Sequence, residues 1–326
     1  MDNLSKLRLH KCLEIYDCEC QYVSSMVNKE AYDSNILYVI VDHDKLDYYQ
    51  YEVGIFNNNL YNSKKQQLRK IDTFANHLYV KNYYETTKSV IEKLQKYTLE
   101  RIDVYSDMID KQADFMQEID DDNKRKIVAN IYMNSKLGMI YGAAGTGKTR
   151  VAEYIAKIFE DKNILLLANT NAAKNNLERR IKSSCDCYTV YDYLKNGYSW
   201  KKYDLVILDE CSTVCNEDVL NLFEKCNAEA YLLIGDIYQI EAIKFGNWFN
   251  FARYFVDKKS VYELVTPSHN IFYTAITRTT DKLKIYMSKE TQKKLAEKFV
   301  KSNVGLKQAQ LFAGQAGLKL KNKLSS

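Results

Sequence analysis

Met139-Ile-Tyr-Gly-Ala-Ala-Gly-Thr-Gly-Lys-Thr-Arg150 is the stretch from which the fold can be read. Gly142, Gly147, Lys148 and Thr149 complete the pattern G-x-x-x-x-G-K-[ST], a phosphate-binding loop. Leu137 to Tyr141 before it is an apolar run that suits a buried strand. After it, Val151, Ile155, Ile158 and Phe159 recur at helical spacing. A strand, a glycine-rich turn and a helix in that order aim backbone N–H groups and the positive helix end at one anion. Gly142, Gly145 and Gly147 allow positive φ and close approach of the backbone. The cradle Gly142, Ala143, Ala144, Gly145, Thr146 and Gly147, continued by Lys148, Thr149 and Arg150, is read as a polyphosphate site. Lys148 is placed to reach β- and γ-phosphates and to act in catalysis, and the Thr149 hydroxyl to ligate Mg²⁺.

Downstream, Asn163 to Ala168 reads as a second strand, and Asn169-Thr170-Asn171 as the cap of a helix carrying Ala173, Leu177 and Ile181. Tyr203 to Glu210 is an apolar strand ending in two carboxylates. Running next to the phosphate loop, it lets Asp209 hold Mg²⁺ through water while Glu210 orients or deprotonates the attacking water. Ala230 to Ile234 is a further strand, followed by Gly235-Asp236-Ile-Tyr-Gln239, where Gln239 is placed to sense a γ-phosphate. Asn270 to Arg278 sets Arg278 after an apolar stretch, and Leu283, Ile285 and Met287 alternate as a strand.

Upstream, Met1 to about Val80 reads as mixed and β-containing. Asn35 to Asp42 has a buried-strand pattern, Tyr49 to Phe56 alternates as a second strand, and Asn57-Asn58-Asn59 supplies a turn. Tyr48, Tyr49, Tyr51, Phe56 and Tyr61 fit base stacking. They fit the core and cross-strand pairs of a small sheet better, because aromatics favour strands. From Tyr84 to Ile119 the period shifts to three and four residues, predicting one long or two shorter helices. The acidic run Glu118 to Asp122 reads as a solvated boundary, with a helix from Asn123 to Asn134 leading into the loop strand.

The 326 residues, 46% hydrophobic and 27% charged, suit two or three globular domains. A net charge of +5 permits nucleic-acid binding without requiring it. No run of 18 apolar residues exists, and Met1-Asp-Asn-Leu-Ser5 lacks a signal-peptide core, so a cytoplasmic protein with no membrane partner is expected. The eight cysteines are expected as free thiols. His10, Cys12, Cys18 and Cys20 lack the C-x-x-C spacing of a zinc site. The Lys-rich end after Ser288 reads as a helix and then a solvated tail that touches phosphates only non-specifically.

Taken together, the motifs resemble superfamily 1 helicases, on the RecD-like branch. Gly142 to Thr149 is similar to their motif I, Ala168 to Ala173 to motif Ia, and Tyr188 to Leu194 to motif Ib. Asp209-Glu210-Cys-Ser212 is similar to motif II, Gly235-Asp236-x-x-Gln239 to motif III, and Tyr273 to Arg278 to motif VI. The resemblance covers about Asn123 to Met287. It implies a RecA-like fold, ATP hydrolysis with Mg²⁺, and single-stranded DNA or RNA bound with Thr170 and Asn171 as contacts. Helix capping accounts for those two residues equally well. It also implies that Arg278 crosses to the γ-phosphate, as an arginine finger does.

Two departures stand out. The glutamine that reads the adenine edge upstream of motif I has no clear counterpart; Asn123 sits near its place, with Gln112 and Gln117 further upstream. Only Phe249 to His269 separates Trp248, after motif III, from Asn270, before motif VI, where the family has most of a second motor domain. The segment with Ile276, Leu283, Ile285 and Phe299 is therefore expected to pack on the first domain. The sequence predicts an α/β protein: an α+β N-terminal region (1–118), a RecA-like parallel-sheet core (119–262), and a remnant with a basic tail (263–326). The leading function is a nucleic-acid-dependent ATPase of helicase descent; the alternatives are a P-loop switch or DNA-defence component without unwinding, and a binding module without turnover.

Overall fold

The computed structural model of the chain describes residues 19–143, 145–181, 185–196, 201–236, 244–264 and 302–322. The N-terminal region opens with helix α1 (Glu19–Asp33), the short strand β1 (Val39–Ile40) and helix α2 (Leu46–Asn58). Strands β2 (Ile71–Phe74) and β3 (His77–Val80) follow, giving an antiparallel sheet of order β1-β3-β2. The β2–β3 hairpin turns on Ala75 and Asn76, both with positive φ (45° and 63°). Tyr49–Phe56 is thus helical and not the expected strand. Val53 and Phe56 fall on the buried side of α2, in one core with Val23, Val27 and Ala31 of α1. Tyr48, Tyr51 and Tyr61 are exposed, so they form neither core nor cross-strand pairs.

Helix α3 (Lys81–Leu99) leads through α4 (Tyr105–Lys111), α5 (Ala113–Glu118) and α6 (Asp122–Asn130) to strand β4 (Leu137–Gly142). The acidic run ends as a cap: Asp121 accepts the N–H of Lys124 at 3.0 Å and starts α6. Helix α7 (Lys148–Ile158), strand β5 (Ile164–Ala168) and helix α8 (Asn171–Arg180) come next. Strand β6 (Cys185–Thr189), helix α9 (Val190–Asn196), strand β7 (Lys202–Leu208), helix α10 (Asn216–Lys225) and strand β8 (Asn227–Gly235) continue the alternation. Helix α11 (Trp248–Phe255), strand β9 (Val261–Leu264) and helix α12 (Ser302–Ala316) complete the described elements.

All six strands of the main sheet run parallel, in the order β6-β5-β7-β8-β4-β9. Helices cover both faces, which is why the strands read as unbroken apolar runs. Leu137, Met139, Leu165, Leu167, Val206 and Leu233 point to one face, under α3, α10, α11 and α12. Ile140, Leu166, Ile207 and Ile234 point to the other, under α6, α7 and α8. The α/β expectation stands, with a small antiparallel sheet and helices ahead of a parallel core.

Three placements differ from the sequence reading. β7 is not beside the loop strand, because β8 lies between β7 and β4. The residues after motif III return to the first sheet: β9 pairs with β4, Gly142 opposite Leu264, and the expected division at 262/263 falls within β9. The C-terminal end is packed rather than solvated. Gln308 of α12 bonds both the N–H (2.7 Å) and the carbonyl (2.8 Å) of Tyr38, and Phe312 is buried among Tyr84, Phe251 and Phe255. Asn322 then donates to the carbonyls of Arg253 and Val256, closing the end of α11. Ile276, Leu283, Ile285 and Phe299 lie outside the described residues. No helix among the described residues is long and apolar enough to cross a membrane.

Candidate nucleotide site

Because the strands are parallel, the turns after β4, β5, β7 and β8 gather at one edge of the sheet. The first is the glycine loop. Gly145 (φ 82°) and Gly147 (φ 87°) take the left-handed backbone, and Gly147 caps α7. A Cβ on Gly142 would stand 2.7 Å from both the Leu264 carbonyl and the Thr146 hydroxyl, so β9 braces the loop from outside. Thr146 closes the turn by donating to the Ala143 carbonyl at 2.9 Å. The Lys148 ammonium curls inside the loop, donating to the carbonyls of Gly142 (2.7 Å) and Ala143 (2.8 Å).

Arg150 points elsewhere. Its guanidinium bonds Glu153 (2.7 Å) and the Tyr154 hydroxyl (3.0 Å), along α7 rather than into the loop. Gln112 bonds Glu160 beyond the far end of α7, an eleven-residue helix about 16 Å long. It therefore does not serve the loop.

The β7 turn carries the two carboxylates. Asp209 accepts the N–H of Glu210 at 2.8 Å. Burial pushes its carboxyl above the ordinary aspartate range, opposed by that bond and by the charges of Lys148 and Arg180. Glu210 has a left-handed backbone (φ 54°, ψ 40°), costing about 1–2 kcal/mol for a residue with a Cβ. Such strain persists where the surroundings over-determine it, and here Thr213 bonds the Glu210 carbonyl through both its N–H (2.9 Å) and its hydroxyl (2.8 Å).

The β5 turn supplies Thr170, whose hydroxyl accepts the Ala173 N–H at 3.1 Å and caps α8, with Asn171 as the first helical residue. Beyond β8, Asp236 is buried. Ala144, Gln239 and Arg278 lie outside the described residues.

Three neighbours of the site had no site role in the sequence reading, which took Asn169 only as part of a helix cap. Asn169 donates to the Thr213 carbonyl at 2.8 Å, joining the β5 and β7 turns. Arg180 is 3.6 Å from Glu153 of α7 and acts on Asp209. Lys124, paired with Asp121 at 2.9 Å, lies against Gly147, its Cε 2.9 Å from where a Cβ would stand. Only Asn169 had a local signal, its position directly after a strand that precedes a capped helix.

Among the described residues, no group of three or more His, Cys, Asp or Glu could by itself hold a metal. The donor set fits Mg²⁺ bound with a triphosphate, which needs only the Thr149 hydroxyl and one carboxylate beside phosphate oxygens and water. The half-buried Asp209 at the end of β7 is the carboxylate that could fill that role.

A parallel sheet that presents a phosphate loop and an Asp-Glu turn at one edge defines a P-loop NTPase core. Residues 121–266 match the family model described as an AAA domain. Among solved structures, a chain from a study of two coordinating Pif1 helicases unwinding forked double-stranded DNA shares 18% identity, with a TM-score of 0.34. The alignment covers 45% of this chain and 44% of that one, so the chain spans less than half the length of that helicase. No curated protein matches the sequence.

Proposed function

We propose that the chain binds and hydrolyses ATP at the β4 loop and couples this to weak binding of single-stranded nucleic acid. The observation that carries the reading is the glycine loop with left-handed Gly145 and Gly147 and Lys148 curled inside it, at the sheet edge where β7 ends in Asp209 and the strained Glu210. Lys148 exchanges its two loop carbonyls for β- and γ-phosphate oxygens. The N–H groups from Gly145 to Thr149 and the start of α7 hold the remaining phosphate charge. Thr149 and Asp209 would hold Mg²⁺, which would supply positive charge against the phosphates. Glu210 orients a water and accepts its proton. Gln239 and Arg278 are proposed as the γ-phosphate sensor and arginine finger. Thr170 and Asn171 are proposed as strand contacts at the same edge.

A second reading, an ATPase switch that does not unwind duplexes, is favoured by β9. Residues 248–264 form a helix and an edge strand of the first sheet, so little chain is left before motif VI for a second lobe. Phosphate release with and without single-stranded DNA or RNA, beside a tailed-duplex unwinding assay, tests both readings. ATP turnover stimulated by single strands and no strand separation is the expected result. ATP-dependent unwinding abolished by Lys148→Ala would remove the second reading, and no turnover under any condition would remove the first.

A further inference from the structure

We propose that Asn216 is a positioning residue for the Glu210 turn, and that helix α3 of the N-terminal region acts on the nucleotide site through it. The proposal rests on the ATPase reading above for its kinetic consequence, but not for its geometry.

Asn216 is buried at the start of α10, and its amide is used on every side. Its Nδ2 donates to the Thr87 hydroxyl of α3 at 2.8 Å and to the side-chain Oδ1 of Asn247 at 3.1 Å. Its Oδ1 accepts the Trp248 N–H at 3.1 Å, and its own N–H donates to the Phe245 carbonyl at 3.0 Å. Trp248, fully buried, sends its indole N–H to the Val214 carbonyl at 2.8 Å. Val214 follows Thr213, which holds the Glu210 carbonyl twice and is itself held by Asn169. A short chain of bonds therefore runs from Thr87 through Asn216 and Trp248 to the turn that fixes the left-handed Glu210.

The N-terminal region grips the same place at two further points. Tyr83 stacks on Phe245 with centroids 4.1 Å apart and planes 4° from parallel. Asn35, itself at φ 49°, accepts the Gly246 N–H at 3.0 Å. Buried polar networks of this kind fix one arrangement of the groups they join, and a gap in one is felt along it. Here the groups joined are the exit of β8, the exit of β7 and a helix outside the P-loop segment.

The test uses Thr87→Val, which keeps shape and removes one hydroxyl, Thr87→Ser, which keeps the hydroxyl, and Asn216→Ala. Thr87→Val is expected to lower kcat for ATP about five- to tenfold, the scale of one hydrogen bond, with KM little changed. Thr87→Ser is expected to stay within about twofold of the parent, and the Thr87→Val/Asn216→Ala pair to be non-additive. Amide exchange at residues 210–214, measured without nucleotide, is expected to speed up about tenfold in Thr87→Val and not in Thr87→Ser. An unchanged kcat in Thr87→Val, or full additivity of the pair, overturns the proposal. If the parent turns over no ATP, that reading falls by itself, and the exchange measurement still decides the coupling. Equal exchange at 210–214 in the parent and Thr87→Val then overturns it.

Discussion

Asp209 and Glu210 are tied to each other at the end of β7: the Glu210 N–H reaches the Asp209 carboxylate at 2.8 Å, and Glu210 itself stands at φ 54°. The proposed metal ligand and the proposed base are therefore one rigid unit at the end of β7. Strain at a turn that also carries the chemistry is stability given up for geometry.

Glu210→Gly should show that exchange directly. Glycine removes a left-handed cost of about 1–2 kcal/mol and adds about 0.5–1 kcal/mol of unfolded-state entropy. The variant is expected to keep its Tm or gain up to about 4 °C, while ATP turnover is lost. A thermal melt beside a phosphate-release assay checks it; a Tm several degrees lower would mean the Glu210 side chain supports the fold.

The half-buried Asp209 gives a pH signature. Its folded carboxyl is raised by burial, so it binds its proton more tightly in the fold than in the unfolded chain. The stability this contributes is complete below the ordinary aspartate range, about pH 4, and is lost as pH rises through the folded value. Asp209→Asn, which never ionises, is therefore expected to gain stability over the parent as pH rises from about 4 to about 7. Melts of both proteins across that range decide it, and parallel curves would contradict the assignment.

What the sequence made legible were the features set by local chemistry. β4, β5, β7 and β8 are buried on both faces and read as apolar runs, and Gly145 and Gly147 fall where positive φ is needed. The strand order was not legible, since nothing local to Tyr203–Glu210 says that β8 intervenes before β4. Helix α2 was misread because Tyr49, Tyr51, Val53 and Ile55 alternate, while Tyr49, Val53 and Phe56 also share a helix face; packing under α1 decided between the periods. The β2–β3 hairpin lacked a glycine signal, because Ala75 and Asn76 make the turn. The end of the chain looked solvated for its lysines. Lys307, Lys319 and Lys321 do face solvent, while Gln308, Ala309 and Phe312 between them are buried. Asn216 carries no motif, and its role depends on partners 129 and 31 residues away.

Thr170 and Asn171 separate capping from contact. Thr170→Ala removes the bond to Ala173 and should cost about 1 kcal/mol of stability whether or not a strand is present. Asn171→Ala leaves that cap intact, so a loss of single-strand affinity in this variant reports contact. Binding of the parent is expected to be weak, to fall as salt rises, and to depend little on sequence. Fluorescence anisotropy at two salt concentrations measures it; equal affinity at both, or no binding at low salt, would remove nucleic acid from the account.

The central claim is that Lys148, Asp209 and Glu210 form one ATP-hydrolysing site, and a paired binding and single-turnover measurement on Lys148→Ala and Glu210→Gln tests it most directly. Lys148→Ala loses a charge-assisted phosphate contact worth about 1.5–3 kcal/mol and should bind Mg·ATP about ten- to a hundredfold more weakly. Glu210→Gln should bind Mg·ATP like the parent and release no phosphate, because its amide cannot accept the proton of the attacking water. Phosphate release by Glu210→Gln at the parent's rate, with ATP bound equally well, would contradict the account.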